Sequence, residues 1–69
     1  MNKSIAIKDA GLRLAIAQFG STNALARALG LSKQAVAQWQ RVPTGRILLV
    51  ERLTGVPREQ LRPDLYRGL

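Results

Sequence analysis

The stretch from Thr22 to Trp39, TNALARALGLSKQAVAQW, restricts the possible fold more than any other part of the chain. It reads as two short helices joined by a tight turn at Gly30. Leu25, Ala26, Leu29, Leu31, Val36 and Trp39 stand where they would pack one helix on the other. Ala26 lies four residues before Gly30, Val36 six after it and Trp39 nine after it. A small Ala lets the helices approach, and Gly accepts the left-handed turn at little cost. The spacing predicts a helix-turn-helix, whose second helix enters the major groove of DNA. The bland alternative is an αα-hairpin with no nucleic-acid role. The polar face left by Lys33, Gln34, Ala37, Gln38 and Arg41, opposite Val36 and Trp39, weighs against it.

Charge points the same way. Eleven Lys and Arg stand against four Asp and Glu, a formal charge of +7. A basic domain with solvated charges on several faces would show the same excess, so the charge counts mainly because it accompanies the motif. Sixty-nine residues make one small domain (1–69) with a limited core, which favours self-association. A hydrophobic share of 46% suits a globular fold rather than a disordered one. No apolar run approaches the roughly 20 residues that span a membrane. Lys8 and Asp9 interrupt Ile5-Ala6-Ile7 too soon for a secretory signal, so the expected location is the cytoplasm.

Enzyme chemistry is not expected. The chain has no Cys and no His, which removes disulfides, thiol nucleophiles, imidazole acid–base catalysis and the usual zinc ligands. Asp9, Glu51, Glu59 and Asp64 are scattered, and no Gly-rich phosphate loop is present. No metal, cofactor or small-molecule ligand is anticipated.

The remaining pattern predicts an all-α domain of four to five helices. Leu12, Ala15, Ile16 and Phe19 recur at helical spacing, with Asp9 as N-cap and Gly20 as stop. Ile5-Ala6-Ile7 either extends this helix back from Ser4 or forms an arm, and the helix is favoured. Gly11 inside it argues for a late start, since it costs about 1 kcal/mol against Ala. Ser21 or Thr22 caps the second helix, to about Leu29. Ser32 caps the third, from Lys33 to about Gln40. Thr44 caps a fourth, to about Thr54, with Gly55 as stop. Pro57 opens a last short turn through Leu61, Pro63 breaks the chain again, and 64–69 form a tail.

The segments ALARALGLSKQAVAQWQRVP, VERLTGV and LRPDLY resemble the Cro/YdaS-like family of small phage and prophage regulators. The resemblance covers about Ser21 to Tyr66 and, more loosely, Asp9 to Phe19. It implies a compact helix-turn-helix DNA-binding domain, lambda-repressor-like and Cro-like, acting as a transcriptional repressor. Some relatives are described as antitoxin-like proteins that sit beside a toxin, which supplies an alternative function, holding a toxin partner. Cro proteins end in helices or in strands. ILLVERLTGV and the Pro-punctuated tail depart from the stranded form, so the helical form is expected.

Chemistry assigns roles within that frame. Gln34 and Gln38 lie one turn apart, and each amide both donates and accepts, as an adenine edge requires. Lys33 and Ala37 complete the base-reading face. Ser21, Thr22, Arg27, Ser32, Arg41 and Arg46 are the candidate phosphate contacts, from hydroxyls and N–H groups at helix starts and from cations. On the fourth helix Ile47, Val50, Leu53 and Thr54 share one side, while Leu48 falls among charges. Leu48 is either a stray exposed side chain or a dimer contact. Leu65 and Tyr66 are expected to fold back on the core, with dimer contact as the alternative. The anticipated partner is double-stranded DNA, bound by a homodimer that is weak in solution or forms on DNA. RNA is disfavoured, because Trp39 and Phe19 read as core residues rather than exposed stacking aromatics.

Overall fold

The computed structural model describes residues 7–66, which carry six α-helices and no strand. α1 (Ala10–Phe19) starts on Asp9, whose carboxylate accepts the Leu12 N–H at 2.9 Å. α2 (Thr22–Leu29) starts on Ser21, whose hydroxyl accepts from Ala24 N–H at 3.0 Å. α3 (Lys33–Ala37) starts on Ser32, which accepts from Ala35 N–H at 3.1 Å. In each case a short polar side chain satisfies a backbone donor that the helix itself leaves unpaired. Gly30 ends α2 at φ 75°. Its N–H reaches Arg27 O and that of Leu31 reaches Ala26 O, the Schellman arrangement that reverses the chain toward α3.

A single-turn 3-10 segment (Thr44–Arg46) leads into α4 (Ile47–Thr54), followed by α5 (Arg58–Leu61) and α6 (Pro63–Tyr66). α2 packs on α3, while α1 packs on α2, α4 and α5. The core between them comprises Leu12, Ala15, Leu25, Ala26, Leu29, Val36, Val42, Ile47, Val50, Val56 and Leu61. Ile16, Phe19, Leu31, Trp39, Leu53 and Tyr66 close its edges. The helical periodicity read from the sequence therefore places the buried residues of α1 to α4, while Val42, Val56 and Leu61 join the core from outside that pattern. None of the described helices is long and apolar enough to cross a membrane.

Several boundaries differ from expectation. α1 begins at Ala10, and Ile7–Asp9 are not helical, because the Asp9 cap fixes extended backbone there (φ −72°, ψ 172°). The helix therefore does not run back from Ser4, and Ile5 and Ala6 lie outside the described residues. α3 stops at Ala37 rather than Gln40. Its last turn tightens, with Trp39 N–H on Val36 O at 3.1 Å, and the free carbonyls beyond are taken by a distant lysine. Thr44 caps nothing: the Arg46 N–H bonds the Pro43 carbonyl at 2.8 Å, a 3-10 closure that starts α4 at Ile47. Pro57 stands just before α5 rather than inside it. The break expected at Pro63 falls at Arg62 (φ −140°, ψ 72°), which ends α5, but Pro63 then opens α6, so Asp64–Tyr66 are a helical turn instead of tail. A proline suits a first helical position, where no N–H is needed. The rest of the expected tail, 67–69, lies outside the described residues.

Gly11 has a packing reason that outweighs its helix propensity. A Cβ built there would stand 2.3 Å from Gln60 O and 2.8 Å from Leu61 O, so α1 and the α5 backbone meet at a distance only glycine allows. Gly11→Ala is expected to destabilise the fold by about 1–3 kcal/mol through overpacking, despite the better propensity of Ala. Gly45→Ala, where a Cβ meets nothing within 4 Å, is the control and should stay within about 0.5 kcal/mol. Urea denaturation of both variants measures the difference, and an unchanged midpoint for Gly11→Ala would contradict the close contact.

Candidate nucleic-acid interface

α3 has only five residues, too few to hold itself in water. Three kinds of contact hold it. Ser32 caps its start. Val36, fully buried, anchors one face to the core, with Trp39 just beyond the helix partly covered. The third lies at the other end. The Lys8 ammonium donates to three carbonyls there: Ala37 O at 2.8 Å, Trp39 O at 2.8 Å and Val36 O at 3.3 Å. Beside it, Asp9 N–H donates to Gln40 O at 2.8 Å. Partial withdrawal from water lowers the Lys8 ammonium from its ordinary value.

The segment after α3 is held from the C-terminal side. Arg62 is buried and donates Nη1–H to Val42 O at 2.9 Å. Its Nε and Nη2 form a fork to Asp64 at 2.9 and 2.7 Å. Such bidentate pairing suits a guanidinium that leaves water. The Arg62 hydrogen bond holds the Asp64 carboxyl below its ordinary value, and Asp64 in turn raises Arg62. A second pair, Arg58 with Glu51 at 3.1 Å, ties α5 to α4. The Arg58 backbone N–H, and then its guanidinium, lower Glu51. The Arg58 guanidinium also lies 5.8 Å from the Tyr66 ring centroid, within cation–π range.

Against this frame the expected site residues separate. Lys33, Gln34, Ala37 and Gln38 are all exposed on α3 and its C-cap, opposite Val36. Arg27 is exposed in the last turn of α2. Ser21 and Ser32 are exposed caps, and Thr22, first in α2, is half-buried. Arg46 is half-buried in the 3-10 segment. Arg41 is exposed, with Nη1 3.9 Å from Asp64 Oδ2, so a carboxylate competes for it. Leu48 is exposed on α4, beside the less exposed Leu49. The tail pair divides: Tyr66 packs on the core edge, whereas Leu65 stays exposed.

Lys8 and Arg62 were not among the residues singled out from the sequence. Lys8 acts across 28 to 31 positions, and no local pattern marks it. For Arg62 a weak signal existed, since an Arg and an Asp flank Pro63.

This arrangement defines a small helix-turn-helix protein of the Cro-like all-α form. The family model described as "Bacterial toxin YdaS" matches residues 12–68. A solved structure, the Cro protein from the prophage element Xfaso 1 in Xylella fastidiosa strain Ann-1, is similar at 35% identity. That match covers 87% of this chain and 100% of the Cro chain, with a TM-score of 0.76. None of the curated proteins matches. The chain belongs to the YdaS family and is a Cro/YdaS-like small phage regulator.

The carboxylates that hold the C-terminal half give an acid-sensitivity test. A carboxyl whose folded value is lowered stabilises the fold fully above its unfolded value, and this is lost as pH falls through the folded value. The ordinary values are 4.5 for Glu51 and 3.8 for Asp64, so the loss begins below about pH 4.5. The thermal midpoint of the wild type should fall in that window. The Glu51→Gln/Asp64→Asn double variant should start lower and fall less. Equal acid losses in the two proteins would contradict the stabilising role of Glu51 and Asp64.

Proposed function

We propose that this protein is a sequence-specific double-stranded-DNA-binding repressor that occupies an operator. The observation that carries the reading is the exposed face of α3. It bears Lys33, Gln34, Ala37 and Gln38 together, and its back is anchored by Val36. Gln34 and Gln38 read bases, with Lys33 assisting and Ala37 offering a thymine methyl its apolar contact. Ser21, Thr22 and Ser32 approach phosphates with helix-start N–H groups and hydroxyls, and Arg27, Arg41 and Arg46 supply the charge. Residues 22–40 form the reading unit, and the C-terminal part, from 44 onward, supports it within one domain. No cofactor or metal is part of this reading, and the site of action is the bacterial nucleoid.

Selection from a random duplex pool followed by affinity measurement tests this directly. Gln38→Ala should cost about 1–3 kcal/mol on the selected site and relax the preference at one base pair. Each lost cationic phosphate contact should reduce the slope of log affinity against log salt by about 0.9. Unchanged selection by both Gln34→Ala and Gln38→Ala, or an affinity flat in salt, would overturn the reading.

The family description favours a second reading, in which the chain itself acts as a toxin. This differs from the antitoxin role considered from the sequence, because the description names a toxin. Induced expression of wild type and of Gln34→Ala/Gln38→Ala separates the two. Growth arrest that survives the double substitution belongs to a protein target rather than to operator binding.

One recognition helix covers too few base pairs for a unique operator, and two copies related by a two-fold place theirs about 34 Å apart. The adjacent exposed Leu48 and Leu49 on α4 support contact there, with Leu65 as the other candidate. Leu48→Glu should reduce cooperative binding to a palindromic site in sedimentation experiments. Undiminished cooperativity would exclude Leu48 from the interface.

A further inference from the structure

We infer that Lys8 is a positioning residue for base reading, acting on Gln38 through the backbone and not through DNA. This inference rests on the DNA-binding reading of α3. The ammonium bonds Ala37 O and Trp39 O, both at 2.8 Å. They belong to the residues before and after Gln38, so the peptide that enters Gln38 and the peptide that leaves Trp39 are tied to one ammonium, and the main chain that carries this side chain is held from both ends. Gln38 needs such a grip. It stands at the C-cap of a five-residue helix, at φ −87° and ψ −6°, where no further helical turn follows to hold it. Its own N–H makes a 3.2 Å bond to Gln34 O, the long end of the range. A lysine has three N–H donors, and the three carbonyls occupy all of them. Lys8 thus has no donor left for a phosphate, although it contributes one of the positive charges. A tetrahedral ammonium points three bonds at converging carbonyls, which a planar guanidinium does not reproduce.

The test uses Lys8→Met, which keeps an unbranched side chain of similar reach, and Lys8→Arg, which keeps the charge. Binding is measured on the selected duplex and on a scrambled duplex of equal length, across a salt series. Both variants should lose roughly five- to a hundredfold on the selected site, the range of one base-reading contact. Scrambled-duplex affinity and the salt slope should remain as in the wild type. In a Gln38→Ala background, Lys8→Met should have no further effect on the selected site, because coupled residues are not additive. Full specificity in Lys8→Arg, a parallel loss on both duplexes, or an undiminished effect in the Gln38→Ala background would each overturn the inference.

A readout without DNA separates this inference from the reading beneath it. Amide hydrogen exchange at Gln38 and Trp39 should accelerate in Lys8→Met, while exchange at Gly55, capped within α4, stays unchanged. If the wild type selects no duplex, the DNA reading fails, and the inference about base reading falls with it, whatever the exchange shows. If the wild type selects a duplex and exchange at Gln38 does not respond, the positioning role alone is wrong.

Discussion

A helix of five residues cannot support its own geometry, and the arrangement of this protein follows from that constraint. Nucleating a helical turn is unfavourable, and isolated helices this short do not persist. α3 exists because other parts of the chain complete it. Ser32 satisfies its start, Val36 roots it in the core, and Lys8 takes the carbonyls at its end. Arg62 then fixes Val42 immediately downstream. The N-terminal and C-terminal segments thus meet at the exit of α3, and its exposed residues inherit the rigidity of both.

The same contacts redistribute the charge. The net value of +7 treats all cations alike, but the structure separates them. Lys8 is engaged with carbonyls, Arg58 with Glu51 and Tyr66, and Arg62 with Asp64 and Val42. Among the described residues Arg13, Arg27, Lys33, Arg46 and Arg52 have no ion-pair partner, and three of these lie on α2, on α3 and in the 3-10 segment that follows. The acidic side chains are mostly used in folding: Asp9 caps α1, while Glu51 and Asp64 hold the C-terminal helices. Basic charge near the helix pair is therefore left available by the way the few carboxylates are spent elsewhere.

The C-terminal half works as a brace. α5 lies close enough to α1 that Gly11 has no room for a Cβ, and Leu61 is fully buried between them. The two short helices, α5 and α6, are stabilised by anchoring rather than by length. Arg58 reaches back to α4, Tyr66 covers the core edge, and Arg62 links the pair to the α3 exit.

The sequence by itself determined the elements whose signals are local. Asp9, Ser21 and Ser32 bond amides three residues ahead, Gly30 turns the chain within two residues, and apolar spacing in α1, α2 and α4 marks the buried faces. The polar face of α3 was legible for the same reason, since it is the complement of Val36. Tertiary structure decided where α3 ends, why Gly11 is required, and what Lys8 and Arg62 do. Those outcomes depend on which carbonyls a folded chain brings near a given side chain. A lysine that bonds residues 28 to 31 positions away leaves no periodicity in the sequence, because nothing between the partners needs to repeat. The helical form of 63–66 belongs with them: Pro63 is compatible both with the break at Arg62 and with the first turn that follows, and the Arg62 fork to Asp64 accompanies that turn.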